Sequence, residues 1–392
     1  MNEIYLDHAA TTNMSKEALQ AMLPYLFEEF GNPSGKYSLG RRAQKGLEQA
    51  RVQIADTLNC HPENIIFTSG GTESDNMAVN TAVHKKKSGH LLCSAIEHPA
   101  MKNMLRFLKE KGFDVEFIPC DENGIVTPEE VKKMLKPDTI FVSVMAANNE
   151  IGTIQPIREI AMICRERNIY FHTDAVQAYG HIKLDVSEIP IDMLSASAHK
   201  FGGPKGIGFM YVSNHIECVP MLFGGGQEGG MRSGTENVAS IVGMGKAAEV
   251  SCKSMEKNSI YEQSLRDYMI ERIENEIPYA RLNGSKTRRL SNNINMSFSY
   301  VEGKSLVSML DMVGICCSGG SACSTHKKAP SEVLTAIGLS EQLANSAIRM
   351  TLSAHNTMDE MNYTLYHLKN SIKILRERNP AYQRFIYYNR RR

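Results

Sequence analysis

Short apolar runs alternate with longer amphipathic segments along the first half of the chain. The segments between the runs, such as residues 128–135 and 157–168, have apolar positions at helical spacing. The runs occur at 65–67, 91–95, 115–119, 139–145, 169–171 and 193–196. Some of them, such as 169–171, are rich in the β-branched and aromatic residues that buried strands favour. Strands that alternate with helices over short connections predict a doubly wound α/β domain.

Polar residues follow the predicted strands at their carboxyl ends. In an open parallel sheet with right-handed crossovers these ends share one edge, and ligands bind there. Asp174 and Lys200 each follow a predicted strand. A carboxylate and an amine at one site suggest pyridoxal phosphate, which forms a Schiff base with a lysine and needs an acid beside its pyridine nitrogen. The side chains expected to converge at this edge are Thr72, His98, Asn149, Asp174, Gln177, His199 and Lys200.

Residues 65–76 contain a glycine-bearing turn between a strand and a helix. The strand runs into Gly70 and Gly71, and the helix is predicted from about Glu73. Glycines let backbone N–H groups close on an anion, and the helix dipole adds to the attraction, so the turn is a candidate phosphate site. It is neither a Walker loop nor a dinucleotide fingerprint. A second glycine-rich stretch, 224–235, lacks a strand-turn-helix frame, so a dinucleotide site is not expected there either.

The second half of the chain predicts connecting helices and a smaller structural unit. Helices are predicted at 237–254 and 259–276, and the second is long and charged. A half-buried strand is predicted at 291–298, a last strand at 348–353 and a final helix at 358–378.

A length of 392 residues suggests two domains. We expect a large cofactor-binding domain at residues 15–258 and a small domain formed by residues 1–14 and 259–392. Residues 5–12 end in small side chains, which suit the wall of a cleft.

Composition and charge narrow the classes of function. The chain is 42% hydrophobic and 22% charged, as ordinary globular proteins are. A formal net charge of +1 gives no reason to expect nucleic acid or an anionic membrane as a partner. The N-terminal residues lack a signal-peptide pattern and no segment has membrane-spanning length, so a cytoplasmic location is expected. The nine cysteines lie mostly in apolar runs, which indicates free thiols rather than disulfides.

Cys323 differs from the other cysteines because it lies in a polar, glycine-bearing loop at 318–330. The basic stretch 326–328 follows it, and nearby positive charge favours the reactive thiolate. For an isolated residue, an incidental loop cysteine is the alternative. Cys316 and Cys317 lie close by, but the spacing lacks the paired pattern of a zinc site, so no metal is expected.

Together these motifs resemble those of the NifS/IscS-like cysteine desulfurases, in the class V group of pyridoxal phosphate enzymes, over nearly the whole chain. The resemblance implies fold type I, an α/β fold with a large, doubly wound, mostly parallel sheet domain and a smaller α+β domain. It also implies conversion of L-cysteine to L-alanine with transfer of the sulfur to an enzyme cysteine as a persulfide. That sulfur would supply iron-sulfur cluster assembly, other thio-cofactors or tRNA thiolation. The matching segments, in the family's order, are 5–12, 31–34, 68–76, 97–98, 148–152, 172–177, 199–200, 231–235, 320–324 and 348–349.

The resemblance also implies roles for individual residues. Lys200 would carry the Schiff base and move protons, Asp174 would pair with the pyridine nitrogen, and His98 would stack on the ring and assist proton transfer. Arg349 would bind the substrate carboxylate, which a guanidinium holds bidentately, and Cys323 would accept the sulfur. Gln177 and Asn149 would contact the ring oxygen of the cofactor and the side of the ring on which the substrate binds. The phosphate ligands would be Gly71, Thr72, Ser197, His199 and, from the neighbouring subunit of a homodimer, Thr235.

Other functions remain open on the sequence. A selenocysteine lyase or another class V lyase would not depend on Cys323. An aminotransferase of the same fold would give a reactive loop cysteine no role. A non-catalytic binding protein would tolerate the loss of Lys200. The expected protein partner, besides a second copy of the chain, is an iron-sulfur scaffold or another sulfur acceptor, and the sequence does not identify which.

Overall fold

The computed structural model describes residues 3–319 and 330–389. The helices are α1 (Lys16–Phe27), α2 (Ser38–Leu58), α3 (Gly71–Val83), α4 (Pro99–Glu110), α5 (Pro128–Met134), α6 (Ile157–Glu166), α7 (Val238–Glu276), α8 (Gly303–Asp311), α9 (Glu332–Ala336), α10 (Glu341–Ala344), α11 (Met358–Glu377) and α12 (Pro380–Asn389). The strands are β1 (Ile4–Tyr5), β2 (Ile65–Thr68), β3 (His90–Ser94), β4 (Asp114–Ile118), β5 (Thr139–Ser143), β6 (Tyr170–Asp174), β7 (Met193–Ser197), β8 (Gly208–Val212), β9 (Ala280–Leu282), β10 (Asn293–Phe298), β11 (Ile315–Cys316), β12 (Ser318–Gly319) and β13 (Ala347–Thr351).

The largest sheet has the strand order β2-β8-β7-β6-β5-β3-β4. Its strands from β7 to β4 are parallel, whereas β8 is antiparallel to both of its neighbours. Helices α4, α5 and α6 connect β3 to β4, β4 to β5 and β5 to β6, whereas residues 175–192, which join β6 to β7, contain no helix. The predicted doubly wound, mostly parallel α/β architecture is confirmed.

Both faces of this sheet are buried, and its strands carry apolar side chains on both faces. Leu92 and Val142 pack in a core with residues of α2 and α6. Their neighbours Leu91 and Phe141 pack in a second core with residues of α3 and α4. Successive side chains of a strand point to opposite faces, so each strand contributes to both cores.

Helix α7 is continuous over 39 residues, and the predicted break into helices at 237–254 and 259–276 is wrong. The intervening residues 255–258 include neither glycine nor proline, so nothing in the backbone stops the helix. Ser254 even bonds back within the helix, its hydroxyl donating to the Val250 carbonyl over 2.9 Å. α7 packs against α1 and α2 near its start and against α11 near its end.

The second sheet has the order β12-β13-β10-β9 and is antiparallel. On β10, Ile294 and Met296 pack into a core with residues of α7, α8 and α11. The prediction that this strand is half-buried is wrong, because every residue of β10 is buried. Its polar face is covered as well: the amides of Asn293 and Asn295 both donate to the Glu150 carbonyl, over 3.1 and 3.0 Å.

The strands of the large sheet lie within residues 65–212 and those of the second sheet within 280–351. We propose the domain division predicted from the sequence, with residues 15–258 as the large domain and 1–14 with 259–392 as the small one. The boundary falls inside α7, which makes this helix a continuous connection between the two.

The C-terminal aromatic residues form α12. The Phe385 ring lies 5.3 Å from the rings of both Tyr279 and Tyr300, which places α12 against the second sheet's outer connections. Within residues 3–319 and 330–389, no helix combines the length and the apolar character that crossing a bilayer requires.

Candidate active site

A cavity of about 350 Å³ opens where β2, β5, β6 and β7 end. Its wall combines loops of the large sheet with Arg349 of β13. The predicted site residues that it brings together are Gly71, Thr72, His98, Asn149, Asp174, Gln177, Ser197, His199, Lys200 and Arg349. The convergence expected at one sheet edge is observed for Thr72, His98, Asn149, Asp174, Gln177, His199 and Lys200.

Lys200 follows β7 and points at the N-terminal segment of the chain. Its ammonium donates to the carbonyls of Ala9 and Ala10 over 2.6 and 2.7 Å. The Gln177 amide donates to the same Ala9 carbonyl over 2.9 Å. The small residues of segment 5–12 thus form one wall of the cavity, as predicted, and their carbonyl dipoles stabilise the charged amine.

The turn between β2 and α3 is closed tightly by glycines. A Cβ at Gly71 would lie 2.6 Å from Cγ2 of Val176. A Cβ at Gly208, on the neighbouring strand β8, would lie 2.5 Å from the Ala196 carbonyl oxygen and 2.7 Å from Cα of Gly70. Gly71 and Thr72, at the N-terminus of α3, line the cavity, and backbone N–H groups at a helix N-terminus can bind an anion. The polar side chains beside this turn are Thr72, Ser197 and His199.

Asp174 and His98 form the electrostatic centre of the cavity. Asp174 is 4% exposed and accepts the Val176 N–H over 2.8 Å. Burial raises the pKa of Asp174, while His98 and Lys200 oppose this shift. Nδ1 of His98 accepts the Ala100 N–H over 3.2 Å at the start of α4. Burial lowers the pKa of His98 and outweighs the opposing effect of Asp174, so the imidazole is neutral near pH 7.

Two further acids lie beneath this centre. Asp75 and Glu97 are 1% and 2% exposed, and burial together with the charge of Asp174 raises the pKa of both. Glu97 accepts the Met145 N–H over 2.5 Å. Asp75 lies 3.6 Å from His172, whose pKa burial lowers to about 3. Burial and the charge of Asp174 therefore both favour the protonated forms of Asp75 and Glu97.

Arg349 is held against the loop that follows β5. The Asn148 side chain accepts the Glu150 N–H over 2.8 Å and shapes this loop. Arg349 donates from Nη1 to the Asn149 carbonyl over 2.9 Å and from Nη2 to the Asp7 carboxylate over 2.7 Å. With 2% exposure the guanidinium is fixed in place, and its fork of donors suits a carboxylate ligand.

Two predicted residues lie outside the cavity or outside the described chain. Thr235 lines a separate cavity of about 160 Å³, next to Arg232 and Glu228. Arg232 pairs there with Glu73 over 2.9 Å. Cys323 belongs to residues 320–329, which lie outside the described residues, so its predicted role stays a prediction.

Sequence reasoning missed several lining residues. Asp75 had a detectable signal, because it lies one helical turn after Gly71 and so shares its face of α3. Met145 and Val176 had none, since an apolar residue after a strand is equally common in a core. The lining residues that were not predicted individually are Ala9, Ala10, Asp75, Met145 and Val176.

The residues of this cavity fit pyridoxal phosphate. The Lys200 amine and the buried Asp174 carboxyl supply the two groups that the aldehyde and the pyridine nitrogen need. The glycine turn at the start of α3 supplies a candidate anion site, where a Cβ at Gly71 would overlap Cγ2 of Val176. The volume of about 350 Å³ lies in the range of cofactor sites.

The fold and the site define a class of protein that comparison with known sequences identifies. The family model described as aminotransferase class-V matches residues 4–363, and the chain belongs to this family. The family is one of pyridoxal phosphate enzymes. Its relatives include the cysteine desulfurase IscS of Dictyoglomus turgidum, 47% identical over 97% of both chains. The cysteine desulfurase IscS of Methanosarcina thermophila is 44% identical over 96% of this chain and 94% of its own.

Solved structures agree with this assignment. A NifS-like protein superposes with a TM-score of 0.89 at 34% identity, covering 95% of this chain and all of its own (100%). A structure described as SspA in complex with cysteine has a TM-score of 0.80 at 36% identity, covering 90% of this chain and 100% of its own. The resemblance to NifS/IscS-like proteins inferred from the sequence is confirmed.

Proposed function

We propose that this protein is a pyridoxal phosphate-dependent cysteine desulfurase, which converts L-cysteine to L-alanine and transfers the sulfur to Cys323. The observation that carries the proposal is the cavity in which Lys200, Asp174 and Arg349 converge. It combines an amine, a buried acid and a carboxylate-binding guanidinium within one chain whose relatives are named cysteine desulfurases.

The cofactor would be held by residues from both ends of the cavity. Lys200 would bind its aldehyde carbon and Asp174 its pyridine nitrogen, while His98 would lie against the ring. Bound there, pyridoxal phosphate supplies an electron sink that makes the α-proton of an amino acid labile. Gln177 and Asn149 would contact the ring oxygen, and the phosphate would be held by Gly71, Thr72, Ser197 and His199.

The substrate is oriented by the chain's own charges. Arg349 binds the carboxylate of L-cysteine, because its buried guanidinium retains N–H groups beyond those that Asp7 and Asn149 use. Nζ of Lys200 then takes the α-proton of the substrate and gives it back in a later step. His98 is neutral near pH 7 because burial lowers its pKa. Because its Nδ1 accepts the Ala100 N–H, the proton of the neutral ring lies on Nε2, which can donate it.

Sulfur transfer is completed by Cys323. Its thiolate attacks the sulfur of bound L-cysteine, an S–S bond forms, and the substrate's C–S bond breaks. The electron pair of that bond stays on the substrate carbon and is protonated, so the products are L-alanine and a persulfide on Cys323. Atoms and electrons balance without an external oxidant. A second thiol or an acceptor protein must then remove the outer sulfur.

We further propose a homodimer in the cytoplasm that passes sulfur to an acceptor protein. Thr235 would contribute to the phosphate site of the partner subunit, which agrees with its position outside the cavity of its own chain. The cysteines within the described residues are free thiols, as expected in a reducing compartment. Iron-sulfur cluster assembly is the favoured destination, given the relatives named IscS.

The deciding experiment measures alanine and sulfide release from L-cysteine in the presence of a thiol reductant. The parent protein should release both. Cys323→Ala should keep the cofactor's absorbance and release almost none, with Cys316→Ala as the matched control that keeps activity. A Cys323→Ala protein as active as the parent would refute the persulfide step.

A further inference from the structure

Asp7 makes charged and polar contacts that the proposed function leaves unexplained. Its carboxylate bridges two elements of the second sheet: Oδ1 accepts from Nη2 of Arg349 and Oδ2 accepts from the Ser318 hydroxyl, each over 2.7 Å. The Asp7 side chain is 17% exposed and the Arg349 side chain 2%. Ser318 and Arg349 are cross-strand partners in the β12–β13 pair, so one carboxylate holds both ends of that pair.

The contacts of Arg349 leave a defined part of the guanidinium for a ligand. Nη1 is used by the Asn149 carbonyl and Nη2 by Asp7. Nε is buried and has no hydrogen-bond partner among the described residues. The second N–H of each Nη atom also remains, because an arginine has more donors than these two bonds consume. Asp7 therefore uses one N–H of Nη2 and leaves the remaining N–H groups of the guanidinium for a carboxylate.

We propose that Asp7 is a positioning residue for substrate binding, whose carboxylate orients Arg349 so that its remaining N–H groups receive the carboxylate of the amino-acid substrate. The inference rests on the proposed function, since it assumes that Arg349 binds that carboxylate. A guanidinium tied at two points loses less rotamer freedom when it binds a ligand than one held at Nη1 alone. Asp7 acts through Arg349 and itself touches no reacting atom.

The backbone around Asp7 is held without its side chain. The Leu6 N–H donates to the Cys316 carbonyl over 2.8 Å, and the Thr351 N–H donates to the Leu6 carbonyl over 2.7 Å. The Ala9 N–H donates to the Thr351 hydroxyl over 2.8 Å. Truncation at Asp7 therefore leaves segment 5–12 in place, and the carbonyls that bind Lys200 with it.

The test titrates the cofactor-loaded protein with two amines and follows the cofactor's absorbance. L-Alanine carries the carboxylate that Arg349 would bind, and cysteamine lacks it. Asp7→Ala should weaken L-alanine binding by about 10- to 100-fold, the range for losing a hydrogen bond to a charged group, and leave cysteamine binding unchanged. Asp7→Asn should recover most of the affinity, because its amide oxygen still accepts from Nη2.

A matched control separates positioning from general support of the segment. The Tyr5 hydroxyl donates to the carbonyls of Asp7 and Thr11 over 3.1 and 2.8 Å, without contacting Arg349. Tyr5→Phe removes these bonds and should bind L-alanine as the parent does. In an Arg349→Ala background, Asp7→Ala should cause no further loss, because the residue through which it acts is gone.

Three results would overturn the inference: equal weakening of both amines in Asp7→Ala, unchanged or tighter L-alanine binding in that variant, or a further loss in the Arg349→Ala background. The proposed function fails separately. If the parent protein shows no absorbance change with L-cysteine or L-alanine, the assignment of the cavity is wrong before Asp7 is considered.

Discussion

Replacing Arg349 with alanine tests the substrate-binding end of the cavity most directly. The side chain is 2% exposed and makes a 2.7 Å ion pair with Asp7. Loss of one partner from a buried carboxylate–guanidinium contact costs about 2 to 5 kcal/mol. For the substrate carboxylate this corresponds to an increase in KM for L-cysteine of about 30- to 5,000-fold. The value of kcat at saturation should change much less, because the guanidinium does not touch the reacting sulfur.

The same substitution also affects stability. It leaves the Asp7 carboxylate without its cation, and breaking a buried pair costs about 3 to 5 kcal/mol. Asp7 keeps its bond to Ser318 and is 17% exposed, so we expect the loss at the lower end of that range. Thermal unfolding of the variant and of the parent protein, measured under the same conditions, shows what fraction of each is folded at the assay temperature.

The assay is steady-state alanine formation over a wide range of L-cysteine concentration, for the parent, Arg349→Ala and Arg349→Lys. The lysine variant keeps the charge and loses the planar fork, so its KM should lie between the other two. A folded Arg349→Ala protein with the KM of the parent would refute the carboxylate role. Equal KM values for the two variants would show that charge alone, rather than bidentate geometry, holds the substrate.

Three further perturbations probe other parts of the site. Lys200→Ala should prevent borohydride from linking pyridoxal phosphate covalently to the protein, as judged by the protein's mass. Covalent attachment in this variant would show that another residue forms the Schiff base. Burial raises the pKa of Glu150 to about 7, so ionisation of this acid costs stability as pH rises through the window from about 4.5 to 7. The stability of Glu150→Gln relative to the parent should therefore increase by up to about 3 kcal/mol between pH 5 and 8, and a constant difference in urea unfolding would contradict this. Gly208→Ala should lower the free energy of unfolding by about 1 to 3 kcal/mol and weaken cofactor binding, because its Cβ would lie 2.5 Å from a backbone oxygen. Thermal unfolding measures the first effect and equilibrium dialysis of pyridoxal phosphate the second. Gly206→Ala is the control for backbone strain without overlap.

The strands and helices of the large domain were predictable because they follow from the local spacing of apolar residues. β5 carries apolar side chains on both faces, and α4 begins at a proline behind a side-chain cap. Such signals depend on residues within one or two turns of each other. The placement of Asp174 and Lys200 at one edge also followed, since parallel strands bring their carboxyl ends together. The roles read from the motifs depended on resemblance to a family rather than on these patterns.

Local pattern failed where a polar residue's partner is remote. The polar face of β10 looked solvated, but Asn293 and Asn295 bind the Glu150 carbonyl and are buried. The break predicted in α7 fell on residues 255–258, which are partly exposed but belong to one continuous helix. In both cases the sequence shows which side chains are polar, but only the packing decides whether those side chains contact water or another segment of the chain.

By itself, the sequence determined the α/β class, the order of the strands and helices along the chain, and most residues of the cavity. The tertiary structure alone decided that Asp7 meets Arg349, 342 positions further along the chain, and that Ala9 and Ala10 offer their carbonyls to Lys200. Periodicity specifies which face of an element is apolar, because that depends on neighbours in sequence. The partner of a buried charge depends on how whole sheets pack, and no local pattern of residues specifies a contact between segments so far apart in the sequence.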